Sequence, residues 1–432
     1  MAQTFTIDEI RNITVPVAKQ YGVEKVALFG SYAKGKQSME IQYAERIKNL
    51  KASAIREILK FTADPEVIPF AAGNPAPEAF PCEEVGKITA DIFQNDPITA
   101  LQYSVSEGYP ALRSTLKSYM KDQYNIGREN DDLIIVSGAQ QGIELSAKTL
   151  CNEGDTVIVE VPSFVGSLNS FKSFNTKLVG VPVEDGGISL EKLEIALKEN
   201  PNTKLIYLIP NFQNPSGTCM SLEKRKGAYA LAKKYGVFII EDNPYGDLRF
   251  RGENIPSIKS FDEDNIVIYC GSFSKVLAPG LRVGYLIADK NLIQKVVVGK
   301  QASDVHTNIL AQMICQRFMT EYDMPAHIQK LQEIYRKKCD LMLSCIEKHF
   351  NPAVTHTCPE GGLFLWCTLP DNVNMMEFCS TAVQNKVAVV PGIAFMPYET
   401  YETQSFRMNF STPTDEQIVK GVEILGKLTY KI

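Results

Sequence analysis

Histidine is scarce in this 432-residue sequence, which has only His306, His327, His349 and His356, and none of its ten cysteines is spaced as a C-x-x-C pair. That scarcity argues against a structural zinc site and for reduced thiols in a cytoplasm. No apolar run approaches the roughly 18 residues that a membrane span requires, and no cationic, apolar, small-residue leader opens the sequence. A basic excess is missing too. The formal charge is −5, which disfavours nucleic acid as a partner. With 44% hydrophobic and 22% charged residues, the composition is that of a globular protein with a large core in two or three domains. The expected location is cytoplasmic, away from membranes.

What the sequence does contain is alternation. Residues 133–136, 156–160, 204–209, 237–240, 266–269 and 283–287 read as strands, with helical segments after Ser163, Ser189 and Ser221. The pattern predicts an α/β fold, a mostly parallel sheet covered by helices. Ligands of such sheets bind outside the strand ends, and several ends here carry unusual residues. One strand breaks into Ser137-Gly138-Ala139-Gln140 before an apolar helical run, so backbone N–H groups and a helix dipole converge where a phosphate fits; a plain connection reads equally well. Others end in Asn211-Phe212-Gln213-Asn214-Pro215-Ser216-Gly217, in Glu241-Asp242-Asn243-Pro244-Tyr245, and in Gly271-Ser272-Phe273-Ser274-Lys275, with Arg282 beyond. A lysine in such a loop, desolvated and near cations, keeps a free amine able to condense with a carbonyl.

Residues 1–38 read as helix 7–21, strand 26–29 and a Gly30-Ser31 turn. They resemble the opening of a minimal nucleotidyltransferase domain. The paired carboxylates of that domain are missing, since Glu40 stands alone, so no two-carboxylate magnesium site is available. The segment is expected to be a truncated fragment, with Met39 the natural start of the main body of the chain. An amphipathic helix is expected over 43–60, and one long helical stretch over 291–350 with Pro325 inside it.

From Met39 onward, about nine tenths of the chain resembles a class I/II aminotransferase of the fold-type I pyridoxal-phosphate enzymes, close to the aminoadipate and kynurenine aminotransferases. Five motifs stand in family order: Asn-Pro-Ser-Gly, Asp-x-x-Tyr, Ser-x-Ser-Lys with a downstream Arg, Pro-x-Gly-Gly-x-Phe, and Phe-Arg near the C-terminus. The resemblance implies a large domain over 91–324 and a smaller α+β domain from 39–90 and 325–432. It makes Lys275 the amine that bonds covalently to pyridoxal 5'-phosphate and later shifts the proton. Asp242 would pair with the pyridine nitrogen, and Tyr245 and Asn214 with the phenolic oxygen. Ser272, Ser274, Arg282 and the backbone at Gly138, Ala139 and Gln140 would cradle the phosphate, with Tyr103 reaching that of a neighbouring subunit in a homodimer.

Phe164 would stack on the ring, although a core aromatic after Pro162 is its other reading. Arg407 would clamp the substrate α-carboxylate with its planar fork, near the Gly73 backbone; from pattern alone it could equally face water on a strand. The implied reaction transfers an amino group from an L-amino acid to a 2-oxo acid, by way of a ping-pong cycle, with no metal. Rival readings are β-elimination or decarboxylation on the same cofactor, and an amino-acid-sensing regulator.

Overall fold

The structure, a computed structural model, describes residues 7–27, 42–48, 50, 64–398 and 400–430. The chain divides into two units, residues 1–48 and 49–432. The first shows helices α1 (Ile7–Gln20) and α2 (Glu45–Lys48). Val26 and Ala27 are not in a strand. The expected Gly30-Ser31 turn, the rest of the 26–29 strand and most of the expected 43–60 helix lie outside the described residues.

In the second unit, helices α3 (Cys82–Asn95), α4 (Pro97–Leu101) and α5 (Pro110–Tyr124) precede the alternating region. That region runs β1 (Asp131–Val136), α6 (Ala139–Leu150), β2 (Thr156–Val161), α7 (Val165–Lys172), β3 (Lys177–Glu184), β4 (Gly187–Ile188) and α8 (Leu190–Glu199). It continues through β5 (Thr203–Leu208), α9 (Leu222–Tyr235), β6 (Phe238–Asn243), β7 (Val267–Ser272) and β8 (Gly284–Asp289). These strands form one sheet in the order β1-β8-β7-β6-β5-β2-β3-β4. The inner run from β7 to β3 is parallel, while β8 is antiparallel to both of its neighbours.

Side chains alternate across a strand, and this sheet has a core on each face. Val157, Val159, Leu205, Tyr207 and Ile240 belong to one buried cluster, whereas Ile158, Ile206, Leu208 and Ile239 belong to another. Burial on both faces explains the unbroken apolar runs. Each buried Val, Leu or Ile contributes about 1.5–3 kcal/mol. The same period of two separates adjacent acids on β6. Glu241 turns to one side and accepts from Ser257 Oγ (2.6 Å) and the backbone N–H of Ile258 and Lys259. Asp242 falls on the other side, with Ile240, and pairs in register with Cys270.

The expected continuous helix over 291–350 is instead three: α10 (Lys290–Gln301), α11 (Ile309–Glu321) and α12 (Met324–His349). Pro325 stands in the first turn of α12, where Asp323 caps the helix by accepting from Ala326 N–H (3.0 Å). A proline there costs no hydrogen bond and starts the helix that it would interrupt further in. A second sheet of β9 (Thr355–His356), β10 (Phe364–Thr368), β11 (Val390–Pro391) and β12 (Ser405–Asn409) is antiparallel, in the order β11-β12-β10-β9. Helices α13 (Met375–Gln384) and α14 (Asp415–Thr429) complete this part. Residues 67–71 pack here too: Ile68 bridges Val387, and Val67 and Ala71 share a cluster with Ala388, Val390 and Phe395.

Candidate active site

The ends of β1, β5, β6 and β7 open on one cavity of roughly 450 Å³, closed on its far side by residues of the second sheet. Its wall includes Gly73, Ala139, Gln140, Phe164, Asn214, Asp242, Tyr245, Ser272, Ser274, Lys275, Arg282 and Arg407. Twelve residues scattered across 335 positions of sequence therefore meet, and Gly138 adjoins them at the start of α6. Tyr103 is the exception. It is 82% exposed, packs its ring edge-on against His306 (5.8 Å), and is not part of this wall.

Asp242 is buried at the end of β6, and its Oδ2 accepts from Tyr207 O–H (2.6 Å), which in turn accepts from Ser167 O–H (2.8 Å). Oδ1 is buried with no hydrogen-bond partner among the described residues. Burial pushes the carboxyl up to about 7, against the lowering pull of Tyr207. An ionised oxygen left without a donor in such a place is costly; a protonated ring nitrogen would satisfy it.

Lys275 donates from Nζ to Gly73 O (2.7 Å). Burial, then the charges of Arg407 and Arg282, hold its amine down at about 8. Roughly a tenth is thus unprotonated at pH 7, far more than for a solvated lysine, as a nucleophilic amine requires.

Arg407 lies in mid-strand on β12, paired in register with Trp366 and Val390, and is buried rather than facing water. Nη1 donates to Asn214 Oδ1 (2.7 Å) and Nη2 to Ala71 O (2.9 Å), while the guanidinium stacks on Phe364 (4.2 Å) and Phe395 (4.9 Å). Its buried Nε–H has no acceptor among the described residues. Burial lowers its pKa to about 10, so it stays charged at neutral pH. Tyr245, beside Asn214, meets the Phe364 ring edge-on (5.8 Å), and burial pushes its phenol well above the usual range.

The phosphate-like corner is built of backbone. Gly138 has φ +80° and caps α6, and a side chain there would collide with the Arg282 guanidinium. The backbone conformation requires glycine, and a side chain would also push the guanidinium out of its place. Arg282 donates from Nη2 to Ser137 O (3.3 Å), and Ser272 Oγ accepts from Ser274 N–H (3.1 Å). An α6 N-terminus, two hydroxyls and a guanidinium make an anion cradle. The residues fit pyridoxal phosphate: a free carboxylate oxygen for the ring nitrogen, an amine for the aldehyde, and this cradle for the phosphate.

Tyr207 and Ser167 also build the site, although no motif in the sequence singles them out for it, and so does Phe364, the aromatic of the Pro-x-Gly-Gly-x-Phe motif, to which the sequence assigned no role. Tyr207 lies inside the apolar run 205–209 and reads as core; only its shared face with Asp242, visible once β5 and β6 are paired, marks it.

A family model described as aminotransferase class I and II matches residues 65–425. The chain belongs to this family, and is a pyridoxal-phosphate-dependent aminotransferase of fold type I. It is 38% identical over 392 residues to aromatic-amino-acid aminotransferase 1 of Thermococcus litoralis, covering 90% of this chain and 94% of that one. Among solved structures it is similar to the kynurenine aminotransferase of Pyrococcus horikoshii, in complex with PMP and KYN as substrates and KYA as products (TM-score 0.87, 34% identity, 90% and 97% covered). It is also similar to the α-aminoadipate aminotransferase LysN of Thermus thermophilus, complexed with N-(5'-phosphopyridoxyl)-L-leucine (TM-score 0.84, 33% identity, 90% and 97% covered). No described helix is long and apolar enough to cross a membrane.

Proposed function

We propose that the protein moves the amino group of an aromatic L-amino acid to 2-oxoglutarate, in two half-reactions at one site. The observation that carries this reading is the pair of unpartnered buried atoms, Asp242 Oδ1 and Arg407 Nε, on the wall that also holds Lys275. One suits a ring-nitrogen cation and the other a substrate carboxylate. Phe364, which stacks on the Arg407 guanidinium at 4.2 Å and lines the cavity, favours an aromatic side chain nearby. The names of the Thermococcus and Pyrococcus relatives support the same substrate class.

Pyridoxal phosphate, when bound, supplies the electron sink for charge developing at the substrate Cα. Asp242 holds the ring-nitrogen proton, and Asn214 with Tyr245 binds the phenolic oxygen. Gly138, Ala139, Gln140, Ser272, Ser274 and Arg282 bind the phosphate, with Phe164 against the ring. Arg407 orients the substrate carboxylate beside the Gly73 backbone, and Lys275, its amine near neutrality, moves the proton at Cα.

The assembly we infer is a homodimer in which Tyr103 serves the partner's phosphate. Supporting it, Ile98 (73%), Leu101 (71%) and Tyr103 (82%) expose large apolar side chains on and just beyond α4, which a partner would cover. The domain reading keeps 91–324 as the large domain and 39–90 with 325–432 as the small one.

The test is spectral. L-Phenylalanine or L-tyrosine should convert the bound cofactor's absorbance in one half-reaction, and 2-oxoglutarate should restore it. Release of ammonia or carbon dioxide without that restoration would overturn transamination in favour of elimination or decarboxylation. Specific DNA binding by the full chain with no half-reaction would favour a regulator.

A further inference from the structure

Behind the cradle lies a buried cation that takes no part in the roles assigned to the cavity wall. Lys300, near the end of α10, is fully buried, and its Nζ donates to Asp304 Oδ1 (2.8 Å) and Oδ2 (3.0 Å), Gln141 Oε1 (2.8 Å) and Thr307 Oγ1 (3.0 Å). An ammonium without water needs such acceptors. What distinguishes the cluster is where its other hydrogen bonds go. Asp304 Oδ2 accepts from Ser137 O–H (2.7 Å) and from Gln141 Nε2 (2.8 Å). Gln141 Oε1 also accepts from Ser137 N–H (2.8 Å), and Thr307 Oγ1 lies 3.1 Å from Ser137 Oγ.

The third polar atom of Ser137, its carbonyl oxygen, accepts from Arg282. All three polar atoms of this one residue are therefore fixed, and the next residue is Gly138, where the cradle begins. The segment carrying Asp304 is itself held under strain. Val305 has φ +66°, an outlier for a β-branched residue. The N–H groups of Ser303, Asp304 and Val305 all converge on the Lys300 carbonyl (2.8, 3.0 and 3.3 Å).

We propose that Lys300 and Asp304 are positioning residues for the cofactor phosphate: by clamping Ser137 they aim the N–H groups that open α6 and fix the Arg282 guanidinium beside them. A helix N-terminus binds an anion only if its donors point at it, and binding of this kind loses strength when donors stand slightly out of place. The inference rests on the phosphate lying at Gly138, Ala139 and Gln140.

The test compares two ligands of the cofactor-free protein by equilibrium dialysis: pyridoxal phosphate and pyridoxal, which lacks the phosphate. Wild-type protein should strongly prefer the phosphorylated form; equal affinity would overturn the phosphate placement itself, and this proposal with it. Lys300→Met should weaken pyridoxal phosphate binding by about tenfold or more and leave pyridoxal within about twofold. Ser137→Ala, which removes only one hydroxyl, serves as the second variant should Lys300→Met fail to fold, and should weaken pyridoxal phosphate by about threefold to tenfold with the same selectivity. Parallel loss for both ligands would mark a merely structural network, and unchanged affinity for pyridoxal phosphate would exclude any positioning role; either result overturns the proposal.

Discussion

At the end of β6 the large sheet holds an acid, Asp242, by a chain of hydroxyls from Tyr207 and Ser167. In the middle of β12 the small sheet holds a base, Arg407, by two aromatic rings, the Asn214 amide oxygen and the Ala71 carbonyl. Both are buried, and both keep one polar atom without a partner among the described residues. Burial pushes each toward its neutral form, but with unequal consequences. Asp242 rises to about 7, into the working range, whereas Arg407 falls only to about 10 and remains charged. Protonation can therefore switch off the acid end of the cavity, while the base end is indifferent to pH across the physiological range. A guanidinium tolerates burial that would discharge a lysine, which suits arginine to the clamping role proposed for this position.

Lys275 lines the same cavity as both, and its loss should have the largest effect. Lys275→Ala removes the proposed covalent attachment and proton carrier together, and should lower turnover by more than about 10³-fold. Steady-state assay with an aromatic donor and 2-oxoglutarate checks the rate, and dialysis checks retention of the cofactor, which the cradle should still hold in part. Turnover within tenfold of wild type would remove Lys275 from the centre of the site. Next in size, Arg407→Lys should lower kcat/KM for the amino acid by about 10²-fold, mainly through KM, because the bidentate fork is lost and the buried amine tends to neutralise. Cofactor affinity should stay unchanged. Should cofactor affinity fall with kcat/KM, the division of labour between the two sheets fails.

The legibility of these residues followed their surroundings. Asp242, Tyr245, Asn214 and Lys275 stand at strand ends, where a polar residue after an apolar run has no packing explanation, and so they were visible. Arg407 was ambiguous, because a charged residue in an alternating strand usually faces water, and only the covering rings of Phe364 and Phe395 make it an inward residue. Strand β3 escaped because Gly180 and Pro182 interrupt its pattern; the sheet tolerates Pro182 in the last pair of the ladder, opposite Val161. Lys300 and Asp304 carry no motif, and Tyr207 sits inside an apolar run. Nothing local distinguishes a buried lysine from an exposed one. Their roles exist only in the packing of α10 behind α6 and of β5 beside β6.

Tyr207 offers the finest test of the contrast between the two ends. Its O–H donates to Asp242 Oδ2 and so lowers the carboxyl's pKa against the upward push of burial. Asp242 must be ionised to pair with a ring-nitrogen cation, so pyridoxal phosphate affinity of the cofactor-free protein should weaken as pH falls through about 7. Tyr207→Phe keeps the ring and removes the donor, which raises the pKa further and moves that midpoint to higher pH. At pH 7 the dissociation constant should rise by about threefold to tenfold; at clearly alkaline pH, where both carboxyls are ionised, the two proteins should converge. The Arg407→Lys variant should show the unaltered wild-type midpoint in the same titration. A Tyr207→Phe profile displaced equally at every pH would mean that the hydroxyl merely packs, and that the proton affinity of Asp242 is set by burial alone.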